Sequence, residues 1–88
     1  MDEQLDIAFQ QAYERASHTH LEIAPDVKLR IYAYYKQATY GGKQHQFNSE
    51  ENHTLIRAFK FNAWQQVQNM SKDEAKKAYI DLINELGL

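Results

Sequence analysis

Tyr32 and Lys36 stand four residues apart in the run Tyr32-Ala33-Tyr34-Tyr35-Lys36-Gln37-Ala38-Thr39-Tyr40-Gly41, the block richest in polar aromatic chemistry in the chain. If the run is helical, this spacing puts a phenol and an ammonium side by side, where both can serve one ligand anion. Lys60, farther on, is another cation bordering apolar residues. Between Lys28 and Lys60 the bases Lys28, Arg30, Lys36, Lys43, Arg57 and Lys60 are set against Glu50 and Glu51 alone, so the middle of the chain can form a local positive field although the formal net charge is -2. Each residue also has a plainer reading, with Tyr32 at a core edge, Lys36 snorkelling, Lys60 flanking an apolar stripe and Tyr79 inside the core.

Other chemistries find less support. The absence of cysteine removes disulfides, thiolate nucleophiles and cysteine-based zinc sites, and it suits a reducing, cytoplasmic setting. His18 and His20, like His45 and His53, have no acidic or cysteine partner in a recognisable metal-binding spacing, so no metal site is expected. Ser17, Ser49 and Ser71 fall where linkers or helix caps belong, and neither a nucleophile elbow nor a phosphate-binding glycine loop is present. The expectation is a protein that binds without catalysing. The acidic start and the lack of a long apolar run point to a chain without a cleavable leader or membrane span, whose mature form is the whole soluble chain.

The elements that must position these residues emerge from periodicity. With 88 residues and 43% hydrophobic content, the chain suits one domain spanning 1–88. Leu5, Ala8, Phe9, Ala12 and Ala16 recur at helical intervals and predict a first helix over about 3–17. Pro25 with Asp26 marks the start of a second helix, which runs to Tyr40 and is closed by Gly41-Gly42. At roughly 100° per residue, Val27, Ile31, Tyr34, Tyr35 and Ala38 share one of its faces, with Lys28, Tyr32, Lys36 and Thr39 beside them.

The polar segment from Lys43 to His53 reads as a loop, with Asn48 or Ser49 available to cap a third helix. Ile56, Phe59, Ala63 and Val67 predict the core stripe of that helix, which reaches about Gln68 and is flanked by Arg57, Lys60 and Trp64. Ser71 and Glu74 form a capping box for a fourth helix beginning near Lys72. Its stripe is Ala75, Ala78, Tyr79, Leu82, Ile83 and Leu86, and Gly87 is its stop. Four helices and no alternating strand pattern predict a small all-α four-helix bundle.

The Tyr-Tyr-Lys-Gln-Ala-Thr-x-Gly run, read with Lys60-Phe61-Asn62-Ala63-Trp64 and Ser71-Lys72-Asp73-Glu74-Ala75-Lys76-Lys77-Ala78-Tyr79-Ile80, resembles the acyl-CoA-binding protein family. The likeness extends in order from about Leu5 to Leu86. It implies a four-helix bundle that binds long-chain acyl-CoA thioesters without transforming them. By position, the resemblance makes Tyr32, Lys36 and Lys60 the holders of the 3′-phosphate and adenosine, and Tyr35 and Tyr79 the aromatic lining of the nucleotide site. Leu5, Phe9, Leu29 and Ile31 match positions in or near the acyl groove.

Several residues depart from the family pattern. Phe61 replaces a usual tryptophan, Asn62 a usual aspartate, and the 42–54 loop lacks the usual Arg-Pro-Gly element and is slightly longer. Lys28 stands where methionine is common and either adds a phosphate contact or narrows the groove. The implied function is buffering and transport of medium- to long-chain acyl-CoA by a cytoplasmic monomer. It needs no cofactor and has acyl-CoA-using enzymes as partners. The tyrosine-rich helix also suits a protein-interaction module with no small-molecule ligand. Nucleic acid is not expected as a partner, because the chain is acidic overall and its positive stretch is short.

Overall fold

The computed structural model describes residues 3–41 and 55–88, with side chains from residue 58 onward in the second stretch. It contains four helices, α1 (Glu3–Ser17), α2 (Pro25–Tyr40), α3 (Leu55–Gln66) and α4 (Lys72–Glu85), and the described residues include no strand. The all-α bundle expected from periodicity is therefore the fold, with α3 ending at Gln66 rather than near Gln68. The expected loop over 43–53 and the caps at Asn48 and Ser49 lie outside the described residues.

Local signals account for the helix ends. Ser71 accepts from the Glu74 amide at 3.0 Å while the Glu74 carboxylate accepts from the Ser71 amide at 2.8 Å, which completes the capping box. The hydrogen bond from the Ser71 amide, and after it one with the Ser71 side chain, hold the Glu74 carboxyl below its usual range. At the start of α2, Ala24 supplies no side-chain cap, and Pro25 at the first helical position needs no amide partner. Gly41 ends α2 with φ at +67°, a backbone conformation that residues with a Cβ rarely adopt, so the conformation favours glycine there.

The helices pack in the spatial order α1, α4, α2, α3, because α4 touches α1 and α2, while α3 touches α2. Helices α1 and α4 run parallel. Asp6 pairs with Lys76 near their starts, and Arg15 donates to Asn84 Oδ1 at 2.9 Å and to the Leu88 carbonyl at 3.2 Å near their ends. Among the described residues, the backbones of α1 and α2 do not meet. Large side chains from both helices span the gap above α4. The core is built from Phe9, Ala12, Ala38, Ala75, Tyr79 and Ile83, with Ile31, Tyr34 and Tyr35 packed against it.

A buried amide ties α3 to α2. Gln37 is fully enclosed; its Oε1 accepts from Trp64 Nε1 at 3.0 Å, and its Nε2 donates to the carbonyls of Gln68 at 3.1 Å and Met70 at 2.7 Å. A buried amide is tolerable when its polar atoms are paired in this way. The pairing also reverses part of the expected α3 stripe. Trp64, expected on the flank, is 5% exposed, whereas Phe59, expected in the stripe, is 51% exposed. Among the described helices α3 contacts α2 alone, and its side facing Gln37 is the one that buries Trp64.

Candidate functional site

Two groups of aromatic residues stand on neighbouring faces of α2. In the first, Tyr32 and Lys36 share the surface expected from their spacing, and the α2–α3 contact brings Lys60 to the same place. Lys36 Nζ lies 5.6 Å and Lys60 Nζ 5.3 Å from the centroid of the Tyr32 ring. Lys36 Nζ is also 4.6 Å from the Tyr40 ring centroid. All are cation–π distances. Among the described residues neither lysine has a carboxylate partner. Two ammonium groups around one phenol repel each other, and an anion settling between them relieves that repulsion while gaining charge-assisted hydrogen bonds.

The second group joins α1, α2 and α4. Phe9 lies 5.0 Å from Tyr79 and 6.0 Å from Tyr35, measured between ring centroids, and Tyr35 lies 6.2 Å from Tyr79. Tyr13 stacks on Tyr35 at 5.1 Å with 24° between ring planes. Spacing on α1 leaves Tyr13 off the Leu5, Phe9 and Ala12 stripe; its signal in the sequence is the separation of four residues from Phe9, which places the two rings on one helix surface. Tyr79 is 2% exposed, and burial pushes its hydroxyl up to about 12, assisted by Tyr13 and Tyr35. Burial also raises the Tyr35 hydroxyl, with further contributions from Tyr13 and Tyr40 and from a hydrogen bond with Tyr13.

The structure thus gathers Tyr32, Lys36 and Lys60 at one point and places Tyr35 and Tyr79 together in the adjoining cluster. The residues matched to an acyl groove are dispersed. Leu5 and Phe9 are buried, Ile31 is half-buried against the core, and Lys28 is exposed. Leu29 lines an open groove of about 500 Å³ between α2 and α3, together with Ala33, Phe59, Ala63 and Val67. Asp26, Arg30, Asn62 and Gln66 contribute polar groups to the same walls. No helix of the described residues is long and apolar enough to cross a membrane. His18 Nδ1 lies 2.7 Å from the Glu14 carbonyl oxygen, a contact local to the end of α1.

A model of the family described as "Acyl CoA binding protein" matches residues 6–83. The acyl-CoA-binding protein of Saccharomyces cerevisiae is 28% identical over 82 residues, covering 89% of this chain and 87% of that protein. Acyl-CoA-binding domain-containing protein 2 of Oryza sativa subsp. japonica is 33% identical over 82 residues, covering 89% and 84%. The human enoyl-CoA delta isomerase 2 is 37% identical over 66 residues, covering 70% of this chain and 15% of the enzyme. In three dimensions, the crystal structure of Oryza sativa Acyl-CoA-Binding Protein 2 superposes with a TM-score of 0.83 at 32% identity, covering 94% of this chain and 88% of that one. The family match spans nearly the whole bundle, and with the four-helix structure it shows that this chain belongs to the acyl-CoA-binding protein family.

Proposed function

We propose that residues 1–88 act as a single acyl-CoA-binding domain that carries and buffers medium- to long-chain acyl-CoA without altering it. The observation that carries this reading is the convergence of Lys36 and Lys60 on the Tyr32 ring, at 5.6 and 5.3 Å. Nothing local to α2 requires a cation from α3 at that point. The arrangement suits a phosphate monoester, which can take hydrogen bonds from two ammonium groups and a phenol. In CoA, that monoester is the 3′-phosphate. Tyr35 offers the nucleotide an aromatic face, with Tyr79, 2% exposed, packed behind it.

The acyl chain follows Leu29 into the α2–α3 groove, where Phe59, Ala63 and Val67 offer apolar surface. Leu5, Phe9 and Ile31 support this arrangement from the core and its edge. Each shielded methylene contributes about 0.8 kcal/mol, so eight added carbons contribute on the order of 6 kcal/mol if all are shielded. Binding needs no cofactor, and the loaded monomer is suited to deliver its thioester to cytoplasmic enzymes that consume it.

Titration calorimetry with free CoA, octanoyl-CoA and palmitoyl-CoA tests the reading. Affinity is expected to climb with chain length, and equal affinities for all three would overturn the carrier role. Native mass spectrometry supplies a second readout, with the chain expected as a monomer bearing one acyl-CoA. A ligand-free dimer would instead favour a protein-interaction module.

A further inference from the structure

Tyr40 occupies the unspecified position of the Tyr-Tyr-Lys-Gln-Ala-Thr-x-Gly run, so the likeness to the family assigns it no role. Tyr32, Lys36 and Tyr40 follow one another at intervals of four, which puts one ring a turn before the lysine and another a turn after it. Lys36 favours the second ring. Its Nζ stands 4.6 Å from the Tyr40 centroid and 5.6 Å from that of Tyr32. A lysine carries a compact charge on a flexible four-carbon stem, so an unsupported ammonium samples many positions. Attraction to two ring faces narrows that choice.

Tyr40 is itself braced by the α2–α3 contact. Its ring lies 6.0 Å from that of Trp64 at 51°, and the indole, 5% exposed, donates to Gln37 Oε1 at 3.0 Å. Gln37 directly follows Lys36, so the support of the lysine runs from α2 to α3 and back. The Tyr40 ring is braced yet 41% exposed, which leaves surface for the cation.

We infer that Tyr40 is a positioning residue for the phosphate clamp, holding the Lys36 ammonium where a phosphate monoester arriving beside Lys60 meets a cation already in place. An ammonium has three N–H donors, so it can face a ring and still donate to an anion. Ordering the stem beforehand removes that cost from the binding step. The assignment rests on the acyl-CoA reading and adds to it a residue that favours CoA over its dephospho form.

The test is titration calorimetry on the full chain with octanoyl-CoA and octanoyl-dephospho-CoA. Tyr40→Leu is expected to weaken octanoyl-CoA by about 2- to 10-fold, the effect of ordering one lysine side chain only on binding. Affinity for the dephospho ligand should stay within about twofold of the parent, because no phosphate calls on Lys36. Tyr40→Phe should match the parent, since the ring face survives. In a Lys36→Ala background, Tyr40→Leu should add no further loss.

A second readout needs no ligand. In NMR spectra of the parent protein the Lys36 ε-methylene protons are expected upfield of an ordinary lysine, and Tyr40→Leu should return them toward it. Unchanged or tighter octanoyl-CoA binding in Tyr40→Leu, an equal loss with both ligands, a loss that persists without Lys36, a Tyr40→Phe as weak as Tyr40→Leu, or unshifted ε-methylene protons in the parent would each overturn the Tyr40 assignment and leave the acyl-CoA reading standing. A parent protein that binds no CoA compound would overturn both.

Discussion

Tyr32 and Tyr35 lie three residues apart on α2 in opposite surroundings. Tyr32 has ammonium groups over its ring, from Lys36 at 5.6 Å and Lys60 at 5.3 Å. Tyr35 has rings about it, from Phe9 at 6.0 Å, Tyr13 at 5.1 Å and Tyr79 at 6.2 Å. The residue type is the same and the helix is the same. What differs is the element facing each side chain, since α3 brings a lysine to Tyr32 whereas α1 and α4 bring aromatic residues to Tyr35. A helix with tyrosine on adjacent faces can thus hold the bundle together on one side and present a charged recognition surface on the other.

The largest expected effect breaks the buried side of this contrast. Tyr79→Ala removes a ring that is 2% exposed and should cost about 3–5 kcal/mol in urea unfolding, the range for emptying an aromatic core site. On the charged side, Lys36→Ala and Lys60→Ala should each weaken acyl-CoA binding by roughly 1.5–3 kcal/mol, with global stability moved by less than about 0.5 kcal/mol. Calorimetry with a dephospho-CoA thioester should abolish most of the difference between parent and variants. A penalty that persists with that ligand would remove the lysines from the 3′-phosphate.

Trp64→Phe sharpens the comparison without touching either tyrosine. It deletes the donor to Gln37 and should cost about 1–3 kcal/mol of stability by leaving a buried carbonyl oxygen unpaired. Looser α3 docking should blunt the contribution of Lys60 to binding while the Tyr35 stack stays intact, which a Lys60→Ala/Trp64→Phe double-mutant cycle would reveal as coupling.

Alkaline pH also probes the buried side. The Tyr79 hydroxyl is raised from 10.0 to about 12, so the native state holds this proton more tightly than the unfolded chain does. Its contribution is fully present below pH 10 and is lost as pH rises toward 12, a decline on the order of 2 kcal/mol. Tyr35, also raised, adds in the same sense. Denaturation midpoints measured across this window should fall for the parent and fall less for Tyr79→Phe. The smallest effect is expected of Lys28→Met. Lys28 is exposed one turn before Tyr32, and its loss should change acyl-CoA affinity by about 0.5 kcal/mol or less at physiological salt.

Much of this architecture is legible in the order of residues because helix boundaries are local events. Pro25, the Ser71–Glu74 box and Gly41 act through atoms a few residues away, and the described helix ends obey them. The packing of α3 was not legible. Its sequence, Leu-Ile-Arg-Ala-Phe-Lys-Phe-Asn-Ala-Trp-Gln-Gln, carries apolar residues around much of its circumference, so spacing alone cannot choose between Phe59 and Trp64 for the interior. The hydrogen bond from Trp64 to Gln37 accompanies burial of the indole, and that bond joins residues separated by 27 positions.

The tyrosine run illustrates the same division. Composition and spacing by themselves determined an α-helix carrying Tyr32 beside Lys36, because a turn of helix fixes neighbours three and four residues apart whatever lies around it. The tertiary structure alone decided that Lys60 would complete that pair, that Tyr79 would be enclosed by Phe9 and Tyr35, and that Tyr13 would remain the open ring of the stack. Those outcomes depend on which helices approach and where they leave a gap, and such approaches are set by summed side-chain packing across the whole bundle rather than by any single segment.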